Sequence, residues 1–207
     1  MLATYMLKIN YETAKNTPSD INEHVNTLYD YATTSESILE CGVRSGVSTW
    51  GFAYGLLNNN SHNKKLVSCD LSKDISFEMR EIILKEVLDF TFWIGNDLHY
   101  PDDEKFDIIF IDTWHIYGQL KRELAKFAPM CNKWIIMHDT TVDEIYGETI
   151  RCCMNAHQQS IETGFPLEEI NRGLWPAVEE FLNEHPEYVL EHRYTHCNGL
   201  TILKRIS

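Results

Sequence analysis

The chain has 207 residues, 43% of them apolar and 24% charged. That is the composition of a folded globular protein and, at about 100 to 200 residues per domain, it predicts one domain spanning 1–207. Eighteen Lys and Arg against 31 Asp and Glu leave a net charge of −13. Such a field repels a phosphate backbone and no basic run offsets it, so no nucleic-acid partner is expected.

No apolar stretch approaches the ~18 residues of a membrane helix. The opening MLATYMLKIN also lacks the charged and apolar regions of a secretory leader. No membrane partner is expected, and a cytoplasmic location is. The six cysteines, Cys41, Cys69, Cys131, Cys152, Cys153 and Cys197, form no C-x-x-C pair and predict reduced thiols. The charge sets no limit on self-association, and a homo-oligomer is compatible with it.

In chain order, TPSDINEHVNTLYDYA (17–32) reads as a helix with Asp20 and Glu23 spaced as a capping box, inside an N-terminal helical segment, 1–35. Five apolar runs follow, each ending in a turn signal: SILECG (37–42), KLVSCD (65–70), FTFWIGN (90–96), FDIIFID (106–112) and KWIIMHD (133–139). They are near-continuously apolar, as parallel strands covered on both faces require. Helix candidates alternate with them: Val47 to Leu57, Phe77 to Leu88, and Tyr117 to Phe127 with Pro129 just beyond. This alternation predicts a doubly wound, Rossmann-like α/β fold with helices on both faces of the sheet.

After a helix from Pro176 to His185, YVLEHRYTH (188–196) and LTILKRI (200–206) flank Asn198-Gly199, a strong hairpin signal. The mostly parallel sheet is therefore expected to have seven strands and to end in an antiparallel hairpin. Residues 36–140 read as a cofactor-binding core, and 141–207 as an acceptor-side connection plus the hairpin.

Open α/β sheets bind ligands beyond the carboxyl ends of their strands. The first strand runs out into Glu40-Cys41-Gly42-Val43-Arg44-Ser45-Gly46-Val47-Ser48, an acid ahead of a Gly-x-x-x-Gly turn. A dinucleotide fingerprint would have Gly where Arg44 stands, and Glu40 would repel a pyrophosphate. The set better suits a cofactor with a positively charged amino-acid end. Asp70, ending the second strand, can take both ribose hydroxyls of a nucleoside. Asn96-Asp97, ending the third, offers acceptors for the exocyclic amine of adenine. Together they describe S-adenosylmethionine more economically than NAD.

With these residues in place, the chain resembles class I S-adenosylmethionine-dependent methyltransferases. The matching segments are ILECGVRSGVST (38–49), LVSCDL (66–71), FDIIFIDTWHIY (106–117) and IIMHDT (135–140). More narrowly it resembles the sugar and small-molecule O-methyltransferases, such as rhamnosyl and macrolide-sugar enzymes. The resemblance implies that Glu40, Gly42, Arg44, Gly46 and Ser48 surround the methionine end of the cofactor. It sets Asp70 on the ribose and Asn96 or Asp97 near adenine, and Asp112 joins the cofactor set at the fourth strand end.

The fourth strand ends Asp112-Thr113-Trp114-His115 and the fifth His138-Asp139-Thr140. Methyl transfer from a sulfonium has a good leaving group, so the demand falls on the acceptor: a sugar hydroxyl must lose its proton while held in line. His115, with an ordinary pKa of about 6.5, suits the general base. A divalent cation, Mg²⁺ or Mn²⁺, on Asp112, His138 and Asp139 would stabilise the alkoxide. In the resembling enzymes D-x-x-H supplies the ligand and the base. His138-Asp139 stands where an acid-acid or Asp-Asn pair is usual, and a His there either shifts the preference toward Mn²⁺, Fe²⁺ or Zn²⁺ or sits behind the ligands without touching the metal.

Trp114, Tyr117, Tyr146 and Trp175 read either as a platform for a sugar face or as packing. Arg151 and Arg172 read either as contacts to an acidic acceptor or as a solvated face. The expected partner is a small-molecule or glycan acceptor. Three other readings stay open: a metal-independent methyltransferase of another acceptor such as an amine, an NAD-binding oxidoreductase of similar fold, and a cofactor-binding module without catalysis.

Overall fold

The computed structural model describes residues 2–73 and 75–207. Helix α1 (Leu2–Asn16) opens the chain and buries Leu7, Tyr11 and Ala14, which fall on one face. Leu2, Tyr5, Met6 and Ile9 are exposed on the same helix, so its apolar residues do not mark that face, and the helix was not individually predicted. The expected capping box does not form. Ser19 Oγ instead accepts from Asn22 N at 3.0 Å, and a single 3-10 turn, Asn22–His24, leads into α2 (Val25–Ala32). Asp20 is drawn away by the guanidinium of Arg44, whose Nη1 donates to it at 2.6 Å.

The sheet begins with β1 (Ser37–Cys41) and continues through α3 (Val47–Asn58), β2 (Lys65–Asp70), α4 (Ile75–Val87), β3 (Asp89–Ile94), β4 (Phe106–Ile111), α5 (Tyr117–Phe127) and β5 (Cys131–His138). Side chains alternate across β1 as strand geometry dictates. Ile38 joins a core with Val25, Phe52 and Ile108 on one face. Leu39 and Cys41 join another with Leu120, Leu124 and Phe181 on the opposite face. Burial on both faces explains the near-continuous apolar runs. Helix α3 is buried nearly all round, because a Cβ at Gly55 would lie 2.5 Å from that of Ala32 and its absence lets α2 close over it.

Between β5 and the hairpin the chain forms short helices α6 (Glu148–Arg151), α7 (Ala156–Thr163) and α8 (Leu167–Asn171), then α9 (Trp175–Glu184). The last two strands are β6 (Tyr188–Tyr194) and β7 (Leu200–Arg205), and the sheet order is β3-β2-β1-β4-β5-β7-β6. Strands β1 to β5 are parallel, while β7 pairs antiparallel with both β5 and β6. The fold is the Rossmann-like α/β arrangement expected, with its C-terminal antiparallel hairpin.

The hairpin turn differs from a two-residue Asn-Gly loop. Tyr194 pairs with Leu200, so residues 195–199 form the connection. Cys197, Asn198 and Gly199 all have positive φ, at 47°, 64° and 96°. Docking shapes this tip: the Asn198 carbonyl accepts from Thr141 N and Val142 N, both at 3.0 Å, at the end of β5. All six cysteines are free. Among the described residues no helix is long and apolar enough to cross a membrane.

Candidate active site

Strand order reverses between β1 and β4, and a ligand crevice is expected beyond their carboxyl ends. A cavity of about 690 Å³ opens there, and its wall includes Gly42, Arg44, Asp70, Asn96, Asp97 and Asp112. Six of the sequence-predicted residues thus meet in one space. Gly42 makes this approach feasible. Its φ is +87°, and a Cβ on it would sit 1.8 Å from the Asp112 carbonyl oxygen.

Asp70 shapes the loop that carries Gly42. Its Oδ2 accepts from Val43 N at 2.9 Å and Arg44 N at 3.0 Å, and its Oδ1 from Ser72 N at 3.1 Å. Asn96 Oδ1 accepts from Leu98 N at 2.9 Å and starts a 3-10 turn. Asp97 is buried against Glu123, and Gln119 Nε2 donates to both, at 3.3 and 2.7 Å. Burial pushes both carboxyls up, and at Glu123 the charge of Asp97 adds to it. A single proton shared by the pair relieves their repulsion.

Glu40, Gly46 and Ser48 do not line the 690 Å³ cavity. Gly46, at φ 80°, precedes α3. Glu40 is fully buried beneath the loop, accepting from Ser48 Oγ at 2.6 Å, from Ser68 Oγ at 2.6 Å, and from Thr49 Oγ1 at 2.8 and 3.0 Å. Burial raises its pKa from 4.5 to about 7, against the opposing pull of those hydroxyls.

A raised carboxyl pKa means that the folded state binds the proton more tightly. The stability it contributes is present below pH 4.5 and lost as pH rises through about 7. Glu40→Gln is therefore expected to match wild type near pH 5 and exceed it near pH 8. The difference should be on the order of 3 kcal/mol, from 1.36 kcal/mol per pKa unit. Thermal midpoints across that range check this, and equal pH slopes in the two proteins would refute it.

Beside Asp112 a denser cluster forms. His115 Nε2 lies 3.1 Å from Asp112 Oδ1 and 3.1 Å from Asp139 Oδ2. Its Nδ1 lies 3.5 Å from Asp143 Oδ2 and 3.6 Å from Glu148 Oε2. His138 Nε2 is engaged by the Cys197 carbonyl at 3.1 Å. Its Nδ1 faces Asp112 Oδ1 at 3.5 Å and Asp139 Oδ2 at 3.2 Å. Burial pulls both imidazoles down, but the carboxylates outweigh it: His138 is raised to about 10 and His115 well above 6.5. Burial likewise pushes Asp112 up, and the two histidines more than reverse it.

The donor chemistry fits a cation. His138 Nδ1 and Asp139 Oδ1 are buried and make no hydrogen bond. With the Nε2 proton of His138 committed to a carbonyl, its Nδ1 lone pair points at two carboxylates. That arrangement needs positive charge between them, either a proton or a metal ion. The ligand atoms of Asp112, His138 and Asp139 lie within 4.8 Å of one another, as do those of His115, Asp139 and Asp143.

Of the predicted aromatics, Trp114 reaches the cavity, and Phe165 lies parallel to it at 6.0 Å and 17°. Tyr117 is buried in the core, Tyr146 is exposed, and Trp175 stacks under Arg193. Arg172 lies over the Tyr117 ring and pairs with Glu180, while Arg151 pairs with Asp143. Sequence reading missed Asp143, Glu148, Phe165 and the Asp97–Glu123 pair. The spacing Asp139-x-x-x-Asp143 was the one local signal for Asp143.

Residues 39–140 match the family model described as a methyltransferase domain. That match and the fold define the chain as a methyltransferase. Solved structures share the fold at low identity. An O-methyltransferase from Bacillus cereus, solved with S-adenosylhomocysteine, has a TM-score of 0.59 at 14% identity over 99% of this chain and 91% of that one. TomG from Streptomyces achromogenes, an O-methyltransferase of tomaymycin synthesis solved with S-adenosylmethionine, has 0.59 at 11% over 99% and 90%. The N-methyltransferase NodS from Bradyrhizobium japonicum has 0.56 at 11% over 99% of each chain. Comparison with curated protein sequences gives no match.

Proposed function

We propose that the chain transfers the methyl group of S-adenosylmethionine to a hydroxyl of a sugar or similar small molecule, with a divalent cation at Asp112, His138 and Asp139 and with His115 as base. The observation that carries this reading is the convergence of two imidazoles and two carboxylates at one edge of the cavity, with His138 Nδ1 unpartnered. The wall supports a polyol acceptor. Asp70, Asp97, Asp112 and Glu148 accept hydrogen bonds, and Trp114 with Phe165 offers apolar faces for a sugar ring.

A bound divalent cation supplies Lewis acidity that lowers the pKa of the acceptor hydroxyl. The chain does the rest. Gly42 lets the cofactor close on the backbone, and Asp70 orders the loop around it. Asp112 and Asp139 hold the charge that His138 completes. Four carboxylates around one imidazole hold His115 well above its ordinary pKa of 6.5, and a cation on Asp112 and Asp139 would share their charge and lower it toward the range of a base. His115 then takes the hydroxyl proton as oxygen attacks the methyl carbon and neutral S-adenosylhomocysteine leaves.

Thermal unfolding with S-adenosylhomocysteine or NAD, in Mn²⁺ or Mg²⁺ and again in EDTA, tests the donor and the cation. A ligand at 100 times its Kd adds about 2.7 kcal/mol. A midpoint shift with S-adenosylhomocysteine, none with NAD, and a further metal shift reversed by EDTA are expected. A shift with NAD alone overturns the donor assignment. Turnover unchanged in excess EDTA overturns the cation. Methyl glycosides, including methyl α-L-rhamnoside, and catechol form the first acceptor panel.

A further inference from the structure

We propose that the acceptor carries a cationic ammonium group, held beside the reacting hydroxyl by Glu148 and Glu162 against the rings of Trp114 and Phe165. The inference rests on the hydroxyl-transfer reading given above and narrows its acceptor class. It begins with the charges on the wall of the 690 Å³ cavity. Asp70, Asp97, Asp112, Glu148 and Glu162 line it, and among the described residues Arg44 is its one Lys or Arg. Arg44 is already taken by Asp20, at 2.6 Å.

Three of these carboxylates have partners. Asp70 accepts from three backbone N–H groups. Asp112 faces His115 and His138, and Asp97 shares the Gln119 amide with Glu123. Glu148 and Glu162 are left. The neighbour of Glu148 is His115 Nδ1, at 3.6 Å and shared with Asp143. Glu162 accepts from the neutral amide of Gln158 at 2.7 Å, and no Lys or Arg among the described residues pairs with either glutamate. Asp97 is 6% exposed and its Oδ2 makes no hydrogen bond, so the same wall holds a buried polar atom that the protein leaves for a ligand.

The aromatic pair is firmly built. Gly164 ends α7 in the left-handed region, at φ 74°, and turns the chain back. The Phe165 carbonyl accepts from Ser160 Oγ at 2.7 Å, and its N donates to Thr163 Oγ1 at 3.2 Å. The guanidinium of Arg122 lies over the Phe165 ring at 4.0 Å, so this ring already takes a cation. The glutamates are anchored as well. Glu148 N donates to the His115 carbonyl at 2.8 Å, and Asn155 Oδ1, accepting from Gln158 N at 3.1 Å, caps the helix that carries Glu162. Unpaired carboxylates beside aromatic faces recognise ammonium ions. The same charges, on a chain of net charge −13, repel phosphate and carboxylate. The acceptor class is therefore an amino sugar or another amino-bearing hydroxyl compound, and not a sugar phosphate or a nucleotide-linked sugar.

Two matched sets that differ in one charged group test this: methyl β-D-glucosaminide, methyl β-D-glucoside and methyl β-D-glucuronide, then aminomethylcatechol, catechol and protocatechuate. Binding to the protein loaded with S-adenosylhomocysteine is read by calorimetry, and the position of the transferred methyl group by NMR after turnover with S-adenosylmethionine. In at least one set the ammonium member is expected to bind about 10-fold more tightly than the neutral one, with the anion weakest. High salt should reduce that ratio. Glu162→Gln should lower it about 3-fold while S-adenosylhomocysteine affinity holds. Phe165→Leu, which keeps an apolar contact without the π face, should lower it too.

Failure of the ammonium member to lead in either set overturns the ammonium assignment and leaves hydroxyl transfer standing. So does a ratio unchanged in both Glu162→Gln and Phe165→Leu. A methyl group found on nitrogen overturns hydroxyl transfer, and the placement of the ammonium beside the hydroxyl with it. A protein that does not bind S-adenosylhomocysteine removes the donor reading on which both rest.

Discussion

His115→Ala is expected to lower the methyl-transfer rate about 10²- to 10⁴-fold, the usual scale for a general base, while S-adenosylhomocysteine affinity stays near wild type. The split follows from placement. The cavity wall holds Gly42, Asp70 and Asp97, and His115 is not part of it, so cofactor contacts survive the change. What goes is the one imidazole whose Nε2 faces Asp112 and Asp139 together. Removing it also leaves the buried carboxylate of Asp139 with one fewer cationic neighbour, whereas Asp143 keeps its pair with Arg151. The variant should accordingly depend more steeply on added Mn²⁺. Steady-state rates and calorimetry decide the matter: a near-wild-type rate would leave His115 a structural counter-charge in this cluster.

Gly42→Ala is expected to destabilise the fold by about 2 to 5 kcal/mol, combining left-handed backbone strain with overpacking. At φ +87° the new Cβ meets the Asp112 carbonyl oxygen at 1.8 Å. Backbone cannot rotate aside as a side chain can, so β1 and β4 must separate where Asp112 N donates to the Cys41 carbonyl at 2.8 Å. Asp112 moves with its backbone, and methyl transfer should fall together with stability. Gly164 supplies the control: its φ is +74° and nothing lies within 4 Å of its missing Cβ, so Gly164→Ala should cost about 1 to 2 kcal/mol from strain alone. Urea unfolding of both variants tests the pair. Equal losses at the two glycines would show that the contact with Asp112 contributes nothing.

Much of this architecture was legible without coordinates. Runs such as FDIIFID could not be amphipathic strands, and burial on both faces is what β4 shows. Asn198-Gly199 marked a hairpin, and D-x-x-H placed Asp112 and His115 a few residues beyond one strand end. Each of these is a local property, written into period, turn chemistry and spacing.

The features that escaped sequence reading depend on partners far along the chain. Glu40 reads the same whether it meets a ligand or three hydroxyl side chains, and only the closing of α3 over β1 and β2 buries it. Asp20 could cap a helix until folding brought Arg44 within 2.6 Å. Trp114 and Phe165 become neighbours only when the connection folds back over the crevice. The sequence by itself determined the order of elements, the faces they bury and which strand ends carry acids and histidines, because those follow from neighbours a few residues apart. Tertiary structure decided which carboxylate meets which cation, because burial and distance set the strength of charge interactions, and neither exists until the sheet has closed.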